Sequence, residues 1–276
     1  MSRHRATTSD STGELLATLE HLVDQARDRI KLQQVRAELA VALQRHMLPR
    51  ELPTVSGLRI AARYTPSRDG LDIGGDWYDA FPMPDRSVGL AIGDVQGHDV
   101  EAVAFMGQVR TSLRAVANAT NDPGEVLSCA NDLLISMDCG LFATCCFLCF
   151  DPLTGALAAS RAGHVPVVWA TAAGRCGIAL DSGGLPLGIM PGERYPTIRR
   201  RLTEAGAFVL VTDGVVEGPS FPIEEGLARV AQLVRTGFDA DPDDLAAAVM
   251  RVADLTGHSD DAAVLVARYD GVPYPA

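Results

Sequence analysis

The sequence lacks the features that define several large classes of protein. It has no apolar run of the roughly 18 residues that span a bilayer, and its N-terminus lacks the apolar segment of a secretory signal. Basic residues are in the minority, with 24 Lys and Arg against 35 Asp and Glu and a net charge of −11. A phosphate backbone needs a basic stripe, and none is visible. We therefore expect a cytoplasmic protein with no nucleic-acid partner and no membrane association.

Zinc binding and covalent catalysis are also not expected. The cysteines have no histidine or second CxxC pair with which to complete a zinc pattern. Cys145, Cys146 and Cys149 lie within LFATCCFLCFDP, which indicates a buried strand carrying free thiols. The sequence shows no convincing Ser-His-Asp or Cys-x5-Arg arrangement, so no side-chain nucleophile is predicted.

A helical segment precedes the main domain. No proline occurs between Gly13 and Arg45, and apolar residues recur there at a spacing of roughly 3.5 residues. The seam is imperfect because Gln33 falls on it and a shifted apolar stripe accompanies it. The spacing predicts an amphipathic helix of coiled-coil type, which either self-associates or packs on its own domain. We predict four regions: a disordered N-terminus (1–12), this helix (13–46), one catalytic domain (47–270) and a tail (271–276).

The rest of the chain alternates between strand and helix patterns. Strand signals, several with β-branched enrichment, occur at 58–64, 87–94, 140–150, 156–163, 166–170, 195–202, 207–213 and 262–269. Helical patterns occupy 98–117, 124–137, 223–236 and 242–255. Short links such as PMPDR and DPLTG suit antiparallel hairpins. The pattern predicts an α+β fold in which two mostly antiparallel sheets lie between helix pairs.

Four short acidic stretches carry the candidate chemistry: GGDWYD (74–79), GDVQGH (93–98), VTDG (211–214) and SDDAAVLV (259–266). Asp94 and Asp213 each follow an apolar run, where an ionised carboxylate is costly unless a cation or hydrogen bonds compensate it. The segment around Asp94 or the segment around Asp213, taken alone, is typical of a turn, because Asp and Gly are common at strand ends. The combination favours a metal site.

The segment between Asp76 and Asp94 indicates a hairpin that returns to its starting point. This hairpin would bring the two carboxylates to the same end of one sheet, as a shared binuclear centre requires. Glycines beside both aspartates leave room for the backbone to approach an ion, and the carbonyl group of Val95 is a candidate neutral ligand.

These motifs, in this order, resemble the SpoIIE/RsbU-like branch of the metal-dependent (type 2C-like) Ser/Thr protein phosphatases. The matching segments are GGDWYDAFPMPDRSVGLAIGDVQGHDVEAVAFMGQVR, AGHVPVVW, LPLGI, FVLVTDGVVEG and SDDAAVLVARY. The resemblance covers residues 47–270 and implies an αββα sandwich with two Mn²⁺ or Mg²⁺ ions between the sheets. By motif position, the implied metal ligands are Asp76, Asp94 as the bridging ligand, the Val95 carbonyl, Asp213, and Asp260 or Asp261, with Asp260 slightly favoured.

The resemblance also implies an activity. A metal-bridging hydroxide would hydrolyse a phosphoserine or phosphothreonine, with Asp76, Asp94 and Asp213 as the catalytic carboxylates. The implied substrate is a phosphorylated anti-anti-sigma factor, a STAS-domain protein of bacterial partner switching. Control would act through a partner or through the N-terminal helix itself, which is the candidate site for an activating partner and for homodimerisation. Two alternatives are an inactive phosphatase-like module that sequesters a STAS or anti-sigma partner, and a metal-dependent hydrolase of small phosphoesters.

Five other residues have weaker interpretations. His98 would either donate a proton to the leaving group or cap a helix, and His164 would make a structural hydrogen bond. Asp79 would either orient metal waters or lie in a solvated turn, and Arg63 would lie on a solvated face. Asp99 stands where the family usually has glycine. It is harmless in the first turn of a helix, but it would strain the loop at positive φ.

Overall fold

The computed structural model describes residues 17–35, 47–66, 74–97, 100–257 and 260–272. A first helix, α1, covers 17–35. The strands are β1 (Leu58–Thr65), β2 (Trp77–Pro82), β3 (Val88–Val95), β4 (Ala143–Asp151), β5 (Ala156–Ala162), β6 (Val168–Thr171), β7 (Cys176–Ile178), β8 (Ile198–Arg201), β9 (Gly206–Val211) and β10 (Ala262–Tyr269). The later helices are α2 (Val100–Ala117), α3 (Pro123–Ser136), α4 (Asp213–Val216), α5 (Ile223–Gly237), α6 (Pro242–Met250) and α7 (Ala253–Thr256).

Two five-stranded sheets face each other. Sheet I has the strand order β1-β10-β9-β6-β7, and sheet II has the order β2-β3-β4-β5-β8. All of the strand pairs within the two sheets are antiparallel. Helices α5 and α6 pack on sheet I, whereas α2 and α3 pack on sheet II. The predicted α+β sandwich of two sheets between helix pairs is therefore confirmed.

Three apolar clusters hold these layers together. One lies between the sheets and includes Leu90, Phe150, Phe208 and Leu265, and the other two lie under the helix pairs. Strands β3 and β4 are covered on both faces, which explains why their sequences are almost continuously apolar. Among the described residues, no helix is both long and apolar enough to cross a membrane.

A few elements differ from the sequence expectations. The three-residue β7 and the single-turn α4 were not predicted, and the helix expected at 242–255 is broken at Arg251 into α6 and α7. Strand β9 ends at Val211, so Asp213 is the first residue of α4 and lies beyond the strand. Of the helix expected at 13–46, the structure describes 17–35, where every residue is exposed, and 13–16 and 36–46 lie outside the described residues.

Candidate metal centre

Three of the predicted carboxylates meet at one end of the sandwich. Trp77 pairs with Gly93 in the β2–β3 hairpin, so the neighbouring Asp76 and Asp94 lie at the same end of sheet II. Asp213 comes from the facing sheet, immediately after β9. One carboxylate oxygen from each of these three aspartates lies within 4.8 Å of the other two. Oxygen clusters of this kind bind hard divalent cations.

The charges of these carboxylates oppose one another. Asp76 is 2% exposed, and burial, followed by the charges of Asp94 and Asp213, raises its pKa well above the usual range. Burial and the neighbouring Asp213 raise the pKa of Asp94 to about 8. Burial and the nearby Asp260 raise the pKa of Asp213 as well. The donor set therefore fits divalent cations, because positive charge would replace the protons that such a cluster otherwise retains.

Thr212 connects Asp76 to the facing sheet. Its side chain is fully buried, and its hydroxyl group donates a hydrogen bond to Oδ2 of Asp76 at 2.7 Å. Oγ1 of Thr212 in turn accepts a hydrogen bond from the backbone nitrogen of Ala263 at 2.8 Å. These two bonds fix the direction of the hydroxyl group and hold the Asp76 carboxylate. Sequence reasoning gave Thr212 no role, although a polar residue between the buried strand and Asp213 was a usable signal.

The adjacent aspartates Asp260 and Asp261 have different surroundings. Asp260 is exposed, its charge raises the pKa of Asp94 and Asp213, and it shares a surface cleft of about 290 Å³ with Asp213. Asp261 is 2% exposed and accepts a hydrogen bond from the hydroxyl group of Tyr64. Neither belongs to the group of three whose oxygens lie within 4.8 Å. Asp260 therefore faces the open cleft beside the cluster, whereas Asp261 is buried and its charge raises the pKa of Asp76 and Asp94.

Glycines allow the backbone to approach closely beside the cluster. A Cβ atom on Gly75 would lie 2.2 Å from the carbonyl oxygen of Val95, and one on Gly74 would lie 1.5 Å from Oδ2 of Asp261. The backbone nitrogen of Val95 donates to the carbonyl of Gly75 at 3.2 Å. The peptide of Val95 is thus held against the residue that precedes Asp76.

Asp79 does not lie in a solvated turn. It lies within β2, and its buried carboxylate pairs with Arg114 of α2 through two contacts of 2.7 Å. Arg110 of the same helix makes a third contact at 3.1 Å. The prediction of a solvated turn residue is wrong, because Asp79 is buried in β2 and α2 delivers two arginines to this strand. The water-orienting role stays a prediction. Asp79 anchors α2 to sheet II.

Of the remaining candidates, the structure describes His164 and Arg63. His164 is buried, Oγ1 of Thr144 lies 2.8 Å from its Nδ1, and burial lowers its pKa to about 3, which suits the predicted structural role. Arg63 is exposed and pairs with Asp243 of α6 at 3.3 Å, on the helix-covered side of sheet I. His98 and Asp99, including the question raised by the missing glycine, lie outside the described residues.

Comparison with known proteins agrees with the motif resemblance. The family model described as Stage II sporulation protein E (SpoIIE) matches residues 84–270, more than half of the chain. Protein IcfG of Synechocystis is 28% identical over 229 residues, which cover 72% of this chain and 35% of IcfG. Phosphoserine phosphatase RsbU of Bacillus subtilis is 25% identical over 188 residues, which cover 67% of this chain and 55% of RsbU. The chain thus spans between a third and somewhat over half of the length of these curated relatives.

Solved structures share the fold. The RsbU and RsbW domains of a Mycobacterium tuberculosis protein superpose with a TM-score of 0.73 at 31% identity, covering 83% of this chain and 65% of that one. The SiaA-PP2C domain of Pseudomonas aeruginosa superposes with a TM-score of 0.70 at 22% identity, covering 88% and 98%. At 22% identity, the likeness to the SiaA-PP2C domain shows a shared fold and nothing further.

Proposed function

Since this chain belongs to the SpoIIE family, of the RsbU/SpoIIE type of PP2C-like phosphatases, we propose that it is an active metal-dependent Ser/Thr protein phosphatase. The observation that carries the proposal is the meeting of Asp76, Asp94 and Asp213 from two facing sheets, with oxygens within 4.8 Å. A structural role for such a group is costly, because like charges are brought together at a partly buried place. A cation site explains the arrangement.

We propose that Asp76, Asp94, Asp213, Asp260 and the Val95 carbonyl hold two Mn²⁺ or Mg²⁺ ions, with Asp261 in a supporting position. When bound, such ions lower the pKa of coordinated water and neutralise charge on phosphoryl oxygens. The protein contributes the geometry of its carboxylates. Thr212 holds Asp76 by its 2.7 Å hydrogen bond, and the Tyr64 hydroxyl group holds Asp261. Asp94 must lose its proton for the site to fill, and its raised pKa makes filling dependent on pH.

The test is hydrolysis of p-nitrophenyl phosphate and of a phosphoserine peptide, with Mn²⁺ or with EDTA. We expect metal-dependent turnover that falls by about 100-fold or more in Asp94→Asn and Asp213→Asn, since both variants remove a carboxylate ligand. Asp239→Asn is the matched control, because Asp239 is exposed beside Ala240, whose carbonyl contacts Arg268 near the other end of β10. Turnover that is unaffected by EDTA, or that survives in both ligand variants, would refute the proposal.

For the physiological substrate, we propose a phosphorylated STAS-domain anti-anti-sigma factor. The support is the similarity to RsbU, which is named a phosphoserine phosphatase, and to a structure that contains RsbU and RsbW domains. The chain would be tested against phosphorylated STAS proteins and an unrelated phosphoserine protein of equal size. We expect at least about tenfold higher kcat/KM for a STAS protein. Tight STAS binding without turnover of any substrate would instead identify an inactive sequestering module.

A further inference from the structure

A cavity of about 430 Å³ opens between the edges of the two sheets, at the side formed by β7 and β8. Its wall consists largely of apolar side chains of the inter-sheet core, among them Leu148, Trp169, Phe208 and Tyr269. Pockets for small organic ligands have volumes of roughly 300–1,000 Å³ and are lined mainly by apolar and aromatic side chains. The size and the wall both suit a small molecule with an apolar body.

The cavity is separate from the carboxylate cluster. Strand β10 begins immediately after Asp261 and ends at Tyr269, in the cavity wall. A strand of this length spans roughly 20 Å. Phe208 lies in the cavity wall on β9, whereas Asp213 follows the end of that strand. The two sites thus lie toward opposite ends of the same strands.

Arginines surround the mouth of the cavity. Arg200 of β8 pairs with Asp181, which follows β7, at 3.0 Å, so this ion pair joins the edges of the two sheets. Arg175 pairs with Glu204 at 3.2 Å. Arg201 also lines the cavity, and it has no ion-pair partner within the described part of the chain. Three arginines against two acids make this mouth locally positive on a chain whose net charge is −11.

A ligand carboxylate can replace Asp181 as the partner of Arg200 with little loss of stability. The side chain of Arg200 is 59% exposed, and exposed ion pairs contribute little to stability. A ligand carboxylate would take the place of Asp181 and form a charge-assisted, bidentate contact with Arg200. Thr171 also lines the cavity, and its buried hydroxyl group makes no hydrogen bond within the described residues. A polar atom of a ligand would satisfy it.

We propose that this cavity binds a small carboxylic acid with an apolar body, such as a medium-chain fatty acid. The apolar body lies against Trp169 and Phe208, and the carboxylate binds Arg200 at the mouth. This binding is independent of the proposed phosphatase activity, because none of the residues involved belongs to the carboxylate cluster.

Quenching of tryptophan fluorescence tests the proposal directly. The chain has two tryptophans, of which Trp169 lines the cavity and Trp77 is fully buried beneath α2. We expect bromo-octanoate, brominated at its far end, to quench saturably, and unbrominated octanoate to relieve the quenching. Octanol and octylammonium should bind at least about tenfold more weakly than octanoate, since they lack the charged contact to arginine.

Three variants test whether the ligand binds in this cavity. Trp169→Phe should remove the quenching, and Ala159→Leu, which adds bulk to the cavity wall on β5, should abolish binding. Arg200→Gln, at an exposed position, should reduce the preference for octanoate over octanol to within about twofold. The proposal is overturned if quenching is absent or not saturable. It is also overturned if quenching persists in folded Ala159→Leu protein, or if octylammonium binds as well as octanoate.

Discussion

At the scale of single residues, the proposed metal site depends on groups that position its ligands. Asp76 is buried among other acids, and a carboxylate there is free to turn unless hydrogen bonds hold it. Thr212 supplies the hydrogen bond, and its own direction is fixed by Ala263. Partners that orient a metal ligand typically change metal affinity by about 10–100-fold when they are removed.

We therefore expect Thr212→Val, which keeps the shape and removes the hydroxyl group, to weaken Mn²⁺ binding by about 10–100-fold. Isothermal titration calorimetry measures this change without any need for turnover. Thr171→Val is the control, since Thr171 is a buried threonine on β6 whose hydroxyl makes no hydrogen bond within the described residues. Equal affinities in the two variants would show that the hydroxyl group of Thr212 does not position a ligand.

The raised pKa of Asp94 predicts how the stability of the metal-free protein varies with pH. Because the folded protein holds this proton up to about pH 8 and an unfolded carboxyl group releases it near 4, the folded state binds more protons between those values. The contribution of Asp94 to stability is thus fully present below pH 4, and it is lost progressively as the pH rises from 4 to 8. His164, with a pKa lowered to about 3, acts in the opposite direction below about pH 6.5.

The informative range is therefore about pH 7 to 8.5, where the contribution of His164 is complete. In EDTA we expect the melting temperature to fall across this range, and to fall less in Asp94→Asn, which cannot ionise there. The rise in melting temperature caused by Mn²⁺, relative to EDTA, should grow over the same range, because metal binding no longer has to displace the proton of Asp94. Differential scanning fluorimetry measures both trends. A metal-free melting temperature that falls equally in the variant would contradict the assignment to Asp94.

At the scale of elements, α2 is the helix that follows the loop after Asp94, and its attachment to sheet II depends on Asp79. The carboxylate is buried, Arg110 is mostly buried, and Arg114 also lies 4.6 Å from the ring centroid of Phe81. Removing one partner of a buried ion pair leaves the other charge uncompensated, which typically costs a few kcal/mol. The exposed fraction of Arg114, 43%, reduces this cost because that side chain can reach water.

We expect Asp79→Asn to lower the free energy of unfolding by about 2–4 kcal/mol, measured by urea denaturation. The control is Asp132→Asn, at the exposed ion pair with Arg194, which should change stability by less than about 1 kcal/mol. If the two variants have the same effect, the Asp79 contacts do not anchor α2.

The elements that could be predicted from sequence are those with local signals. Strands β3 and β10 are apolar runs bounded by polar turns, and the β2–β3 hairpin is local enough to predict that Asp76 and Asp94 meet. Strand β7 has only three residues, none of them buried, so no pattern marks it. Its conformation follows from pairing with β6.

The roles that could not be predicted depend on contacts between distant segments. Thr212 and Asp76 are separated by 136 residues, and Asp79 lies 31 and 35 residues from its arginines. Nothing in WYDAFP reveals that a helix will bring two guanidinium groups to that strand. The same limit applies to Asp260 and Asp261: motif position favoured Asp260 only slightly, and the sequence gives no sign of the contact between Asp261 and the distant Tyr64.

At the scale of the whole molecule, α1 is the element whose role does not follow from the two-sheet sandwich. Every residue of 17–35 is exposed, including the apolar side chains of Leu19, Leu22, Val23 and Ile30. Most helical stability in proteins comes from packing of an apolar face, and the apolar face of α1 makes no such contact within the described residues. Met47, the next described residue after α1, has its sulfur beside Gly107 of α2.

We propose that α1 pairs with α1 of a second copy of the chain, the self-association that its roughly heptad spacing predicts. Sedimentation equilibrium should then give a dimer, and the double variant Leu19→Glu, Ile30→Glu should be monomeric, since charges in a coiled-coil seam are destabilising. Leu153→Glu is the control, at a leucine in the turn between β4 and β5 that is even more exposed than Leu19 and Ile30. Turnover of p-nitrophenyl phosphate by the monomeric variant separates the two proposals, because the carboxylate cluster lies within one chain. A wild-type chain that remains monomeric at high concentration would leave the apolar face of α1 to a different partner and would refute self-association.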